Sequence, residues 1–165
     1  MLLSAATIAA RVRELGQEIS AAYPTGDLLL LGTLKGSFIF LADLVRAIDR
    51  PLHVDFLGTS SYGSGTVSSG AVTLTYTPSV SVLGYHVLLV EDVVDSGRTL
   101  QQLIPLLRRD SPRSLEVCTL LHKRIAVPRT PSVRFVGFDI PNDFVVGYGL
   151  DHAEAYRHLP YIGCL

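Results

Sequence analysis

The sequence predicts an α/β fold with a mostly parallel central sheet flanked by helices. Uninterrupted apolar runs at Leu28–Leu31 and Val87–Val90 are typical of parallel strands that are covered on both faces. Each run is followed by a polar loop and then by apolar residues at helical spacing. Strands that alternate with helices form a sheet with helices packed on it, and ligands bind beyond the carboxyl ends of its strands.

Length, composition and charge limit the classes of protein to consider. The chain has 165 residues, of which 48% are hydrophobic and 18% are charged. This is long enough for one domain with a substantial core, and apolar enough that we expect a subunit interface. The formal net charge of −1 argues against a general nucleic-acid binder, because such proteins normally carry a basic excess.

The cysteine count and the N-terminus indicate a cytoplasmic protein. Two cysteines, Cys118 and Cys164, are too few for a disulfide framework, so we expect a reducing compartment. No apolar run approaches the length of a transmembrane helix. The N-terminus superficially resembles a signal peptide, but it lacks a basic start and its apolar residues recur at helical spacing from Ile8 to Ile19. We therefore expect a first helix over residues 4–22.

The next segment is predicted to be a strand, a loop and a helix. The strand leads into the loop Gly32–Ser37, which carries Lys35 at its turn. The helix that follows is predicted to place five apolar residues on one face: Phe38, Leu41, Leu44, Val45 and Ile48. Pro51 ends this unit, and His53–Gly58 is predicted to be a second strand.

A long polar segment separates the second and third predicted strands. Eleven of the twelve residues in Thr59–Gly70 are Ser, Thr, Gly or Tyr. Such a segment cannot pack as a core element, so we expect a mobile loop. Ala71–Tyr76 alternates apolar and polar residues, which predicts a half-exposed strand.

The second half of the chain continues the alternation. Apolar residues from Leu100 to Leu107 have helical spacing, and we expect Pro105 to kink that helix. Leu115–Leu121 and Val133–Phe138 are predicted strands. The remaining segments are a turn back over residues 141–149 and a polar stretch over residues 151–158, in which we expect a helical turn.

The most informative segment lies between the strand Val87–Val90 and the following helix. Glu91, Asp92 and Asp95 place three carboxylates within five residues at a strand end. Like charges at this distance raise one another's pKa unless a cation, ligand hydroxyls or amides compensate. A solvated acidic turn is the simpler interpretation, but the residues that follow favour a binding site.

Those residues, Ser96–Thr99, open the helix with small and hydroxyl side chains. Backbone amides at the start of a helix form a nest for an anion, and the hydroxyls of Ser96 and Thr99 would contribute to it. The carboxylates of this segment would therefore accept hydrogen bonds from sugar hydroxyls, and its backbone amides would donate to a phosphate. The glycine-rich dinucleotide motif and the P-loop are both absent from the sequence, so a sugar phosphate is the ligand that this pattern favours.

The segment VLLVEDVVDSGRTL, residues 87–100, resembles the phosphoribosyl-pyrophosphate-binding motif of the purine phosphoribosyltransferases, in the form found in the 6-oxopurine branch. Further segments resemble the same family in matching order: Leu34–Gly36, Ser60–Gly63, Leu121–Arg124, Phe138–Pro141, Phe144–Asp151 and Arg157. The resemblance covers about residues 28–160. It implies the type I phosphoribosyltransferase fold, as one domain over 1–165 with a core at about 25–140. A small hood at about 141–165, with part of the N-terminus, would cover the site.

The resemblance also implies a role for each candidate residue. Asp95 would be the general base that takes the ring proton of the purine, as the catalytic residue. The residues implied to hold the phosphoribosyl group are Glu91, Asp92, Ser96, Gly97, Arg98 and Thr99. Pyrophosphate would be held by Lys35, Gly36, Ser61, Tyr62 and Arg157. The purine would be held by Lys123, Phe144, Val145 and Asp151, and the implied metal ligands are Glu91, Asp92 and Asp151 for Mg²⁺.

Several of these residues also have a simpler interpretation. Lys35 could be an ordinary solvated loop lysine, although its place between a buried strand and Gly36 favours the functional role, and Lys123 could simply cap the end of a strand. Phe144 would suit a core, and Asp151 would suit a helix cap. Tyr62 would mark a mobile loop without taking part in the chemistry.

Two segments depart from the family pattern. Val72–Ser79 lacks the basic and acidic stretch that the family commonly has there, which leaves the packing of this hairpin open. Thr59–Gly70 contains no Lys or Arg, so its contacts to pyrophosphate would come from hydroxyls and amides.

Taken together, the resemblance implies a Mg²⁺-dependent pentosyltransferase of purine salvage. Its substrates would be phosphoribosyl pyrophosphate and hypoxanthine, with guanine as a further base, and its products IMP or GMP and pyrophosphate. A guanine-xanthine-preferring relative, a non-catalytic regulator that binds nucleic acid and a sensor without catalysis remain as alternatives. We expect a cytoplasmic homodimer or homotetramer that binds neither nucleic acid nor a membrane.

Overall fold

The computed structural model describes residues 1–60, 73–124 and 132–165 of the chain. Its central sheet has six strands: β1 (Leu28–Leu34), β2 (His53–Ser60), β3 (Thr73–Tyr76), β4 (His86–Val94), β5 (Ser114–Lys123) and β6 (Phe135–Ile140). The strand order is β3-β2-β1-β4-β5-β6, and only β3 runs antiparallel to its neighbour. The predicted α/β fold with a mostly parallel sheet is therefore confirmed.

Three helices cover the two faces of this sheet: α1 (Ala5–Ala22), α2 (Phe38–Ala47) and α3 (Arg98–Arg109). Leu28 and Leu30 of β1 belong to a core cluster with α1 and α2, whereas Leu29 and Leu31 belong to a second cluster with α3. Since both faces of the strand are buried at Leu28–Leu31, each of these four positions requires an apolar side chain. This explains the uninterrupted leucine run in the sequence.

The first helix forms where it was predicted. Ser4 caps α1, and its side chain accepts a hydrogen bond from the amide of Thr7 at 3.1 Å. The apolar face from Ile8 to Ile19 is buried against the sheet. Among the helices of the described ranges, none is long and apolar enough to cross a membrane.

Two predicted elements differ in detail from the structure. In α2, Phe40 is fully buried, whereas Phe38 is 43% exposed because it lies at the start of the helix. The strand β4 continues through Glu91 and Asp92 to Val94 instead of ending before the acids. Helix α3 includes Pro105 as an internal residue, and the expected kink there stays a prediction. The expected mobile loop lies almost wholly at residues 61–72, outside the described residues.

The C-terminal segment forms a small second sheet. Its strands, β7 (Val145–Val146) and β8 (Gly163–Cys164), pair antiparallel, and Leu3 forms a bridge to Ile162 beside them. The helical turn expected at residues 151–158 is wrong. The backbone φ is positive at Ala153, Glu154 and Tyr156, so this segment folds as turns closed by an isolated bridge.

Asp55 fixes the segment before β4 to strand β2. The side chain is 5% exposed and accepts hydrogen bonds from the amides of Phe56, Ser79 and Val80 at 2.7–2.9 Å, and from the Ser79 hydroxyl at 2.9 Å. Desolvation alone raises the pKa of this carboxyl. The hydrogen bonds, chiefly the one from the amide of Val80, nevertheless hold the pKa of Asp55 below its ordinary value.

We expect Asp55→Ala to lower the free energy of unfolding by about 2–3 kcal/mol at pH 7, because it leaves buried amides without an acceptor. Since the folded pKa is depressed, this stabilisation is complete above the unfolded pKa. It is lost as the pH falls below about 4. Urea unfolding at pH 7 and pH 3 measures both effects. Asp49→Ala is the control, since Asp49 is exposed; an equal loss in both variants at pH 7 would contradict the assignment.

Candidate active site

The candidate site lies at the carboxyl ends of three neighbouring strands. The register places Gly32 of β1 beside Val90 of β4, and Glu91 of β4 beside Thr119 of β5. Because parallel strands end at the same edge, the loops after β1 and β4 and the end of β5 meet there. Lys35 lies in the loop after β1, and Lys123 lies at the end of β5. The three acids Glu91, Asp92 and Asp95 lie at and just after the end of β4.

Glu91 is buried at the end of β4, with a side chain that is only partly satisfied. Its Oε2 lies 2.6 Å from the hydroxyl of Thr33, whereas its Oε1 has no hydrogen-bond partner among the described residues. Burial raises the pKa of Glu91 to about 8, and the charge of Asp92 adds to the rise, while the Thr33 hydrogen bond opposes it. Such a buried carboxyl group has room for one further partner at Oε1, which a ligand can supply.

Asp92 is in close contact with the loop after β1. A Cβ added to Gly36 would lie 1.6 Å from Oδ2 of Asp92, and one added to Gly149 would lie 2.2 Å from the carbonyl oxygen of Gly36. Desolvation raises the pKa of Asp92, while backbone hydrogen bonds from Val93 and from Asp92 itself oppose the rise. Glycine at positions 36 and 149 therefore allows loop, hood and carboxylate to approach one another.

Asp95, in the loop after β4, is brought close to Lys123 at the end of β5. The ammonium of Lys123 lies 3.4 Å from Oδ2 of Asp95. The side chain of Lys123 is 12% exposed, whereas that of Asp95 is 50% exposed. The pair thus has a proton acceptor that a ligand can reach and a nearby cation held mostly out of water.

The predicted anion nest forms at the start of α3. Gly97 adopts a left-handed conformation with φ of 70° and stands at the N-cap, and no side chain caps the helix. The first helical amides have no intrahelical partner, and the first turn has no acidic residue. This loop and Glu91 line a concave pocket. The other lining residues are Val93, Val94, Asp95, Ser96, Gly97, Arg98, Thr99 and Leu100.

A group of four charged residues joins the loop after β1 to the C-terminal segment. Arg157 lies 2.7 Å from Asp151 and 3.5 Å from Glu154, and it donates to the carbonyl of Gly149 at 2.8 Å. Lys35 lies 3.0 Å from Glu154. Glu154 was not among the residues predicted from the sequence. Its spacing of three from both Asp151 and Arg157 was the available signal.

Phe144 directly precedes strand β7 of the small C-terminal sheet, and Val145 begins that strand. Phe144 is 54% exposed and packs edge-on against His152, with 5.4 Å between the ring centroids. The amide of Leu165 donates to the carbonyl of Phe144, which makes Val145 and Cys164 a non-hydrogen-bonded pair. The N–H and C=O groups of Val145 are therefore directed away from β8 and remain available to a ligand.

These contacts bring most of the predicted residues together at the carboxyl edge of the sheet, and the roles of these residues stay predictions. Ser61 and Tyr62 lie outside the described residues. Asp151 lies at the site, but both of its oxygens are engaged, one by Arg157 and the other by the amide of Glu154 at 2.9 Å. Asp151 therefore accepts a hydrogen bond from a backbone amide, as a helix cap would, and also forms an ion pair with Arg157.

Two acidic side chains of the site are suited to bind a divalent cation. Within residues 1–60, 73–124 and 132–165, no group of three His, Cys, Asp or Glu side chains is arranged to hold a metal. Mg²⁺, however, usually binds to one or two carboxylates and completes its shell with water and substrate oxygens. The unpartnered Oε1 of Glu91 and the adjacent Asp92 fit that arrangement. The site is thus suited to a cation that enters with a phosphorylated substrate.

Comparisons with known proteins agree on one family. The sequence pattern of the phosphoribosyl transferase domain matches residues 1–153. A hypoxanthine-guanine phosphoribosyltransferase from Mycobacterium avium is 53% identical, over 100% of this chain and 84% of that protein. A hypoxanthine phosphoribosyltransferase from Buchnera aphidicola is 43% identical, over 99% and 93%. The crystal structure of a hypoxanthine phosphoribosyltransferase from Staphylococcus aureus matches with a TM-score of 0.93 at 41% identity, over 100% and 90%.

Proposed function

The chain belongs to the phosphoribosyl transferase domain family, and on that premise we propose that it is a hypoxanthine-guanine phosphoribosyltransferase of purine salvage. Its fold is the type I phosphoribosyltransferase fold that the sequence resemblance implied. A ring nitrogen of the purine attacks C1 of phosphoribosyl pyrophosphate, and the bond from C1 to the pyrophosphate oxygen breaks. The products are IMP or GMP and pyrophosphate. The proposal depends above all on one observation. Asp95 contacts Lys123, and Asp95 also lines the pocket formed by Glu91 and the loop before α3.

The sugar phosphate binds along the loop between β4 and α3. Glu91 and Asp92 hold the ribose hydroxyls, which complete the buried carboxylate of Glu91. The 5′-phosphate lies in the nest of residues 96–99: Ser96, Gly97, Arg98 and Thr99. The left-handed Gly97 and the open amides at the start of α3 support this placement, because they direct N–H groups toward an anion.

The base binds between the end of β5 and the C-terminal sheet. Asp95 takes the ring proton as the nitrogen bonds to C1, and Lys123 donates to the 6-oxo group. Phe144 stacks on the ring, and the free backbone groups of Val145 read its edge, with Asp151 nearby. A donor such as Lys123 favours hypoxanthine and guanine over adenine, which carries an amino group at that position.

The leaving pyrophosphate is held on the opposite side of the sugar. Lys35, the amide of Gly36 and Arg157 supply positive charge and donors there, and Ser61 and Tyr62 would close over the site and exclude water. Glu154 lies between Lys35 and Arg157, and we expect it to give up these contacts when pyrophosphate is present.

Glu91, Asp92 and Asp151 would hold a divalent cation, Mg²⁺ in our proposal. Such a cation would supply positive charge to the leaving pyrophosphate. Both oxygens of Asp151 have partners, so Asp151 would reach the cation through water or after release of Arg157.

The wider setting is also part of the proposal. Residues 1–165 act as one domain, with a core at about 25–140 and a hood at about 141–165 that includes part of the N-terminus. The apolar composition supports a homodimer or homotetramer in the cytoplasm. Neither nucleic acid nor a membrane is a partner.

We expect Lys123→Ala to lower kcat/KM for hypoxanthine by about 10- to 100-fold, because a mostly buried charged donor to the base is lost. The preference for hypoxanthine over adenine should weaken in parallel. Steady-state kinetics with each base measure both effects. Arg124→Ala is the matched control, since Arg124 is 75% exposed and pairs with Asp139 instead. An unchanged ratio of kcat/KM for the two bases in Lys123→Ala would refute the role.

The function is tested by incubating the protein with phosphoribosyl pyrophosphate, Mg²⁺ and hypoxanthine, guanine or xanthine. We expect nucleotide formation with hypoxanthine and guanine, at a higher kcat/KM than with xanthine. Preference for xanthine would favour the guanine-xanthine relative. No turnover with any base, together with tight binding of RNA or DNA, would favour the regulator; no turnover with tight binding of phosphoribosyl pyrophosphate would favour the sensor.

A further inference from the structure

A single hydroxyl side chain lies beside the buried acid of the site. Thr33 follows Gly32 near the end of β1, after four consecutive leucines, and it is 5% exposed. Its Oγ1 is 2.6 Å from Oε2 of Glu91 and 3.1 Å from the carbonyl oxygen of Val90. A threonine hydroxyl carries one proton, and the shorter distance is to the carboxylate. We therefore assign that proton to Oε2 of Glu91, as a hydrogen bond to its carboxyl group.

This hydrogen bond makes the two oxygens of Glu91 unequal. Oε2 is held by Thr33, whereas Oε1 is buried with no partner among the described residues. Leaving a buried acceptor unsatisfied is costly, so Oε1 is the atom on which a ligand gains most. Glu91 also lines the pocket formed by the loop before α3, so its side chain borders the proposed sugar-phosphate site.

We propose that Thr33 is a positioning residue: by holding Oε2 of Glu91, it fixes the side chain so that Oε1 alone is offered to a sugar hydroxyl. This inference rests on the proposed function, and it adds a residue from β1 that lies outside the acidic loop. Because Thr33 and Glu91 are fixed on adjacent parallel strands, the sheet itself sets the distance between them. Glu91 would then act as an acceptor for one hydroxyl and not as a two-oxygen clamp.

The alternative is that Thr33 only satisfies a polar group in the core, and three variants separate the two roles. Thr33→Val removes the hydroxyl at nearly constant volume, Thr33→Ser keeps it, and Glu91→Ala removes its target. The probe is IMP, which carries the ribose hydroxyls and the 5′-phosphate but no pyrophosphate. Its Kd is measured calorimetrically in the presence of Mg²⁺, and the melting temperature of each variant is recorded beside it.

We expect Thr33→Val to raise the Kd of IMP about 10-fold, and to raise the KM of phosphoribosyl pyrophosphate while the KM of hypoxanthine stays the same. Thr33→Ser should stay within about 2-fold of wild type. In the Glu91→Ala background, Thr33→Val should have no further effect, because the two residues act through one interaction. Should Thr33→Val not fold, Thr33→Ala takes its place in both comparisons.

The proposal is overturned if Thr33→Val binds IMP like wild type, if Thr33→Ser is as impaired as Thr33→Val, or if the loss is equally large without Glu91. Turnover by the wild-type protein, measured in parallel, distinguishes failure of the role of Thr33 from failure of the proposed function. An active wild type with an unimpaired Thr33→Val variant refutes only the role of Thr33. A wild type that neither turns over nor binds IMP refutes the proposed function and, with it, the role of Thr33.

Discussion

Replacing Asp95 with asparagine is expected to lower kcat by about 10²–10⁴-fold while leaving the Kd of phosphoribosyl pyrophosphate nearly unchanged. The amide keeps the shape and polarity of the side chain but cannot take the purine ring proton. Asp95 is half exposed and lies 3.4 Å from Lys123, so it can reach a bound base without holding the ribose. Steady-state kinetics and calorimetric titration of phosphoribosyl pyrophosphate measure the two quantities separately.

Asp139→Asn is the matched control for this variant. Asp139 also lies near the carboxyl edge of the sheet, but it pairs with His122 and Arg124 at 3.0 and 3.1 Å. Its loss should leave kcat within about 2-fold of wild type, as for an exposed ion pair. If Asp95→Asn weakened binding of phosphoribosyl pyrophosphate as much as it lowered kcat, Asp95 would be a binding residue and not the base.

The second large effect is expected for Gly36→Ala, which should lower kcat/KM for phosphoribosyl pyrophosphate by about 100-fold. The added methyl group would lie 1.6 Å from Oδ2 of Asp92, so the carboxylate must turn away from its position. Because that atom is the movable end of a side chain, we expect the free energy of unfolding to change by less than about 1 kcal/mol. Kinetics and urea unfolding of the same preparation test both parts.

Gly163→Ala is the control for adding a methyl group near the hood. Its Cβ would meet only Tyr161, at an ordinary contact distance of 3.8 Å, and we expect activity close to wild type. A Gly36→Ala variant with wild-type kcat/KM would show that the position of Asp92 does not matter to the reaction. A loss of stability above about 2 kcal/mol would instead assign the contact to packing.

The core of the fold was predictable because its signals are local. The runs Leu28–Leu31 and Val87–Val90 reveal buried strands on their own, and the periodic apolar face from Ile8 to Ile19 reveals α1. The acids and small residues of the β4–α3 loop follow one another in the chain. Their collection into one site therefore needed no knowledge of tertiary structure.

Other features depend on contacts between distant segments and left no local signal. The hydrogen bond from Thr33 to Glu91 arises from the register between β1 and β4, which the sequence does not specify. The two-residue strands β7 and β8 are too short for a periodic pattern. The turns at residues 151–158 require positive φ at three non-glycine residues, which tertiary contacts impose against local preference.

The side chain of Phe38 illustrates the same limit within one helix. Its hydrophobicity suggested a core position, but it lies at the first turn of α2 and points partly to solvent, while Phe40 fills the core. A helix that carries apolar residues on most of its surface does not specify its buried face. The contact with the sheet decides it.

The most direct test of the account is the stoichiometry of pyrophosphate release. The protein is incubated with phosphoribosyl pyrophosphate and Mg²⁺, with and without hypoxanthine or guanine, and pyrophosphate and nucleotide are quantified together. We predict release only when a base is present, with equal amounts of pyrophosphate and IMP or GMP. Release at the same rate without a base, or none with any base, would contradict the assignment of this site to phosphoribosyl transfer.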